Sequence, residues 1–157
     1  TWQHRPESYG YVRARSQDPF EHPEIQPNYL AADTDQQVIL AAIKTCRKLA
    51  QTEALRPFIV NETFPGAACQ NDDELLNSAR EIGQSIYHLM GTCRMGNRDD
   101  KTAVVDSELR VHGIKNLRVI DASIMPTMVS ANLNAAVMMI AEKGADMVLG
   151  KLSAKLH

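Results

Sequence analysis

The chain lacks most of the features that assign a protein quickly. Its three cysteines, Cys46, Cys69 and Cys93, are odd in number and have no C-x-x-C spacing. That excludes a disulfide framework or a structural zinc site as an expectation, and reduced thiols are the default. No cluster spaced for a metal is expected. Aromatic residues make up 5% of the chain, with a single tryptophan, Trp2. The longest apolar run, 135–141, is closed by Glu142 and Lys143, far short of the roughly 20 residues a membrane-spanning helix needs. Lys and Arg number 17 against 19 Asp and Glu and gather in no block, which argues against a general nucleic-acid binder. The eight glycines are scattered, so no G-x-G-x-x-G is present, and no P-loop, H-E-x-x-H or G-x-S-x-G occurs either.

What remains is ordinary globular material. At 157 residues, 44% hydrophobic and 23% charged, the chain is one domain's worth and long enough to bury roughly two-thirds of its unfolded surface. It opens on Thr1 without a signal-peptide pattern, and it reads as a portion of a longer polypeptide. The expected location is the cytoplasm, with membrane association left open.

Residues 9–16 alternate apolar and polar at period two, which predicts a half-exposed strand. Pro19, Pro23 and Pro27 then space out a connection with little regular structure. Thr34 with Gln37 forms a capping-box pattern, and Val38, Ala41, Ala42, Thr45, Cys46 and Leu49 mark the apolar face of a helix over about 35–51. Phe58-Ile59-Val60 suits a short strand. Asn71 with Glu74 should cap a second helix whose apolar positions run Leu75, Leu76, Ala79, Ile82 and Ile86. Val104-Val105, Leu109–Val111 and Leu117–Ile120 read as strands, with a turn at His112-Gly113. A last helix from Asn132 to about Leu149 is apolar on nearly all sides, which predicts burial in a larger core.

Three segments could carry chemistry. His88 is followed by Gly91-Thr92, and an imidazole is the usual side chain for moving a proton near neutral pH. A lone histidine near a helix end can equally be a structural hydrogen-bonding residue. His4, His22, His112 and His157 lack such a setting and read as surface residues. Asn132 stands at the start of the apolar helix, where it could act as an N-cap. Ser130 and Asn134 compete for that cap, and an uncommitted amide there could hold an alcohol oxygen. Asp121 follows a strand-like stretch and precedes Ala122-Ser123. Such a turn can aim backbone N–H groups at an anion, or it can be a plain Asx-type turn.

The order of blocks resembles one family: His88 to Gly96, then Leu117 to Pro126, then Asn132-Leu133-Asn134-Ala135 and Met139 to Asp146. This is similar to the C-terminal part of the glucose-methanol-choline (GMC) flavoprotein oxidoreductases, in their choline-dehydrogenase-like branch. Tyr11-Val12-Arg13, Pro27 to Leu30 and Arg47 to Ala50 resemble that family's substrate-domain stretch. The resemblance implies that His88 is the catalytic histidine over the flavin and that Asn132 is its partner. It implies contacts to FAD from Asp121, Ala122, Asn132 and Asn134, and places Ile86 in the substrate pocket. The implied reaction removes the hydroxyl proton at His88 while a hydride leaves the CH–OH carbon for flavin N5.

The implied fold is α+β, an antiparallel sheet packed with helices, over residues 1–115 as a substrate-binding portion. Residues 116–157 would return, as a strand and a helix, to the FAD-binding domain, whose dinucleotide-binding part is absent here. The chain alone is therefore expected to be inactive and to hold FAD only with that part. A small-molecule alcohol is the expected partner, and the scarcity of aromatics favours a neutral alcohol over choline. Two alternatives stand beside this reading. One is a non-catalytic module that self-associates through an exposed apolar face, which hydrophobic-dye binding would reveal. The other is a flavin-containing hydroxynitrile lyase on the same scaffold, which would cleave a cyanohydrin without bleaching the flavin.

Overall fold

A computed structural model of the chain describes residues 1–151; His157, expected at the surface, lies outside them. Among the described residues, three α-helices and one two-stranded antiparallel sheet make the architecture α+β at the coarse level. The residues fall into two compact units, one of residues 1–85 and one beginning at Ile86.

In the first unit, β1 (Tyr11–Arg13) pairs antiparallel with β2 (Glu24–Gln26), with Val12 opposite Ile25 and Arg13 opposite Glu24. The strand expected over 9–16 is thus only three residues long. Its partner lies inside the stretch expected to be irregular. Pro23 and Pro27 bracket β2, and a proline has no N–H to give a ladder, so the pairing stops at both ends. Tyr11 Oη donates to Glu24 Oε1 at 2.6 Å, and the Arg13 guanidinium lies 4.2 Å over the Tyr11 ring. The Glu24 carboxylate, through that hydrogen bond first, pushes the Tyr11 hydroxyl up from its usual pKa.

Helix α1 (Asp33–Ala50) begins without a side-chain cap, so the Thr34–Gln37 box does not form. The residues leading into it are held from elsewhere in the sequence. Ser8 Oγ accepts the N–H groups of Ala31 and Ala32 at 3.0 Å each and donates to Asp35 Oδ2 at 2.5 Å. The Asp35 carboxylate, 4% exposed, also accepts from Gln3 Nε2 (2.9 Å), Glu7 N (2.9 Å) and Ser8 N (2.8 Å). A buried carboxylate costs little only when it is saturated with donors in this way. The buried residues of α1 are accordingly Asp35 and Leu40, while Ala41, Thr45, Cys46 and Leu49 of the expected face are exposed.

Arg47 clamps the following loop. Its Nε donates to Glu62 Oε1 at 3.0 Å, and a terminal nitrogen donates to the carbonyls of Gly66 (3.1 Å) and Cys69 (2.8 Å). Phe58-Ile59-Val60 is not a strand. Arg56–Phe58 is a 3-10 turn with Pro57 in its first positions, where the fixed φ of proline suits a turn. Helix α2 (Asp72–Ile82) carries the expected capping box: Glu74 N donates to Asn71 Oδ1 at 2.9 Å, and Asn71 N to Glu74 Oε2 at 3.2 Å. Leu75 is its buried residue, and α2 packs on α1. The helix stops at Gly83, so Ile86, expected on its face, lies beyond it.

In the second unit the stretches expected as strands make single bridges instead: Met95 with Val105, Val105 with Val111, and Arg110 with Arg118. Left-handed backbone at Leu109, Gly113 and Asn116 turns the chain before any ladder can lengthen. Val105, Leu109, Ile124, Met125, Leu133 and Ile140 form the core. Helix α3 (Asn134–Val148) starts two residues later than expected, with Leu133 at the N-cap and no side-chain cap. It buries Ile140 and Gly144, while Met138 and Met139 are 62% and 57% exposed. The expected burial on nearly all sides is therefore not met by the described residues.

The Asp35 hub yields a stability prediction. Hydrogen bonds from Ser8, Glu7 and Gln3 outweigh burial and hold the carboxyl below its usual pKa. The unfolded chain then binds the proton more readily, so this contribution is present above about pH 4 and lost as pH falls through the folded value. Asp35→Asn should cost about 2 kcal/mol at pH 7. Thermal melts should show the gap between the wild type and the variant narrowing below pH 4.

Candidate active site

The second unit places the motif residues through a set of backbone bonds. Residues 122–124 form a 3-10 turn, capped by Asp121, whose Oδ1 accepts from Ser123 N at 2.7 Å. The carbonyls of this turn receive alternate N–H groups of the segment after His88. Gly91 donates to Ala122 O (3.4 Å), Cys93 to Ser123 O (2.9 Å) and Met95 to Ile124 O (2.8 Å). Gly91 has φ +85°, and an added Cβ would stand 3.4 Å from Met125 O, so the segment reverses where only glycine is relaxed. Helix α3 packs on the same turn. Its Gly144 lies so close to Ile120 that a Cβ would stand 2.4 Å from Ile120 Cγ2.

Within this frame His88 Nε2 stands 3.2 Å from Asn132 Oδ1. With Oδ1 as the partner, Nε2–H is the donor, because an amide oxygen only accepts. His88 is half-buried and Asn132 exposed, so the pair is held yet reachable. Neither Asn132 nor Asn134 caps α3. Leu133 at the N-cap offers no side-chain acceptor to the first N–H groups of that 15-residue helix, which form a positive end suited to an anionic or electron-rich group.

The other expected site residues divide. Asp121 acts as the Asx-type alternative described, with its carboxylate committed to Ser123 N. Ala122 offers its carbonyl to Gly91 N. Asn134 is exposed at the start of α3, with its amide nitrogen 3.9 Å from Met138 Sδ. Ile86 is exposed two residues ahead of His88. His112 is half-buried rather than a surface residue, since its Nε2 lies 3.1 Å from the Gly96 carbonyl and braces the far end of the motif. Tyr87 escaped sequence reasoning, which has no signal for its left-handed backbone, φ 62°. A cavity of about 270 Å³ in the same unit is lined by apolar residues including Met95, Leu109, Met125 and Met147, but by neither His88 nor Asn132.

The family model described as GMC oxidoreductase matches residues 6–141. This chain belongs to the GMC oxidoreductase family. It is 48% identical over 147 residues to the mitochondrial choline dehydrogenase of Homo sapiens, covering 94% of this chain and 25% of the relative. It is 46% identical over 147 residues to an oxygen-dependent choline dehydrogenase of Escherichia coli O127:H6, covering 94% and 26%. Among solved structures, an FAD-dependent oxidoreductase from Chaetomium thermophilum superposes with a TM-score of 0.83 at 30% identity, over 94% of this chain and 25% of that one. This GMC chain thus spans about a quarter of the length of the curated relatives it matches.

Because α3 is seated through Gly144, a side chain there should disturb the unit that holds the pair. Overpacking costs about 1–3 kcal/mol, and the gain in helix propensity from glycine to alanine returns about 1 kcal/mol. Gly144→Ala should therefore lower the melting temperature, and a denaturant titration should show an earlier midpoint.

Proposed function

We propose that this chain is the substrate-side, C-terminal portion of an FAD-dependent oxidoreductase acting on the CH–OH group of a small alcohol. The single observation that carries the reading is the 3.2 Å approach of His88 Nε2 to Asn132 Oδ1 across 44 residues of sequence. Family membership and the relatives' names support it. Residues 1–115 would then serve the substrate side, and 116–157 would return to the cofactor side.

The residues suit the cofactor. The uncapped start of α3, with Asn132 and Asn134 beside it, is a set of N–H donors for an electron-rich group. Asp121 keeps its carboxylate on Ser123 N, where it shapes the turn. Bound FAD would supply the acceptor for the hydride leaving the substrate carbon.

The rest is the work of His88 and Asn132. An alcohol oxygen within reach of both would take the place of their mutual hydrogen bond, and the lone-pair nitrogen of His88 takes the hydroxyl proton as the O–H bond breaks. The Asn132 amide N–H donates to the same oxygen and holds it as it becomes an alkoxide. A neutral amide stabilises that charge without competing for the proton, and the positions are set before the reaction begins.

In the full-length enzyme, His88→Ala should lower kcat by about 10²–10⁴-fold, the usual worth of a positioned acid–base group. Asn132→Ala should lower it by about ten- to a hundredfold, the worth of one hydrogen bond to a developing charge. Near-normal turnover in His88→Ala would sink the assignment. Choline is the first alcohol to assay, given the relatives' names, with a neutral primary alcohol beside it. The chain alone should show no flavin absorbance bands after FAD is added and the excess removed; retained bands would overturn the expectation that the missing portion is needed.

A further inference from the structure

We infer that Gly91 is a positioning residue for His88: its backbone conformation sets the direction from which the imidazole reaches Asn132. The inference rests on the catalytic role proposed for His88. Gly91 has φ +85°, in the left-handed region that glycine enters freely. A residue with a side chain resists that region, because its Cβ crowds the following carbonyl oxygen. An added Cβ would stand 3.4 Å from Met125 O and meet nothing nearer, so room is not the obstacle. The obstacle is the conformation itself.

The two sides of Gly91 are held unequally. After it, Cys93 N and Met95 N donate to Ser123 O and Ile124 O at 2.9 and 2.8 Å, which fixes the chain to the 3-10 turn. Gly91 N makes the longest of the three bonds, 3.4 Å to Ala122 O. Before it, the backbone of residues 88–90 makes no hydrogen bond to other backbone among the described residues, and only the Met90 side chain packs on the core. His88 thus stands three residues ahead of a pivot, at the end of a lever of up to roughly 10 Å. Returning Gly91 to the φ of an ordinary residue would rotate that lever by roughly 150°. Gly91 N–H would leave Ala122 O, and the imidazole would be carried away from Asn132, which it now meets at 3.2 Å.

Three variants of the flavin-loaded, full-length enzyme test this: Gly91→Asn, Gly91→Ala and Gly91→Val, with His88→Ala as a control. Flavin content and melting temperature are measured on each. All three variants add a Cβ at the same place, and their tolerance of left-handed backbone falls from Asn through Ala to Val. The Asn variant should keep kcat per bound flavin within about threefold. The Ala variant should lower it about tenfold and the Val variant about a hundredfold, since a small misplacement of a reacting group is costly. KM should change less than about threefold, because the loss falls mainly in the transition state.

Recovery in the Asn variant of what the Ala variant loses would support the inference. Equal losses in the two would overturn it, because the added Cβ and not the conformation would then be responsible. Lower melting temperature and flavin content with kcat per bound flavin unchanged would also overturn it, leaving Gly91 a purely structural residue. If the Val variant does not fold, the comparison of Asn with Ala decides. Turnover lowered by His88→Ala but unaffected in Gly91→Ala and Gly91→Val would remove the positioning role alone. Unchanged turnover in His88→Ala would overturn the catalytic reading and this inference together.

Discussion

The second unit depends on the bonds that three carbonyls of a single 3-10 turn accept. The carbonyls of residues 122–124 accept from Gly91, Cys93 and Met95, and that of Ala122 also closes its own turn by accepting from Met125 N. The donors alternate because successive N–H groups of an extended segment face opposite sides. Without these bonds the carbonyls of Ser123 and Ile124 would lose the partners described here, each costing about as much as a lost hydrogen bond, while Ala122 would keep Met125 N. The turn therefore holds the segment that carries His88, and α3 packs on the same turn with Asn132 just ahead of it. A contact spanning 44 residues is in effect a local property of one turn.

Asn132 brings no charge of its own to the pair so held, and the Asp121 carboxylate is committed to the turn. Asp121 is committed to Ser123 N at 2.7 Å, so its charge stabilises the turn that orients the pair. An ionised partner in place of Asn132 would form a salt bridge with a protonated His88 and resist release of the proton. An amide can hold an alkoxide and then let it go. In the first unit Asp35 is likewise met by neutral donors, the N–H groups of Gln3, Glu7 and Ser8 and the Ser8 hydroxyl.

Signals that act within one turn of helix were legible in the sequence. The Asn71–Glu74 box formed as its spacing predicts, and all three helices fall where the 3.6 periodicity places them, to within two residues at most ends. The Thr34–Gln37 box failed because the helix begins at Asp33, which puts Thr34 inside the first turn rather than at the cap. The strands were misjudged for a different reason. Bridges such as Arg110 with Arg118 are set by turns with left-handed residues, and period-two alternation does not report φ. The meeting of His88 with Asn132 was readable only through family resemblance, and the backbone of Tyr87 was not readable at all.

Helix α3 links the composition of the chain to its proposed place in a larger enzyme. A helix apolar all round is stable in water only when other polypeptide covers every side, yet Met138 and Met139 are largely exposed. The apolar cavity beside it, with Met139, Ile140 and Lys143 in its wall, is uncovered for the same reason. Methionine suits a surface that must fit a separately built partner, because its unbranched side chain adapts to irregular gaps. The relatives are about four times as long as this chain, so in them such a partner can belong to the same polypeptide. On the proposed reading, the face of α3 that is exposed here packs against the cofactor side. The residues that start the helix and the residues that dock it then belong to one element, and seating that element would bring Asn132 and His88 to the flavin together.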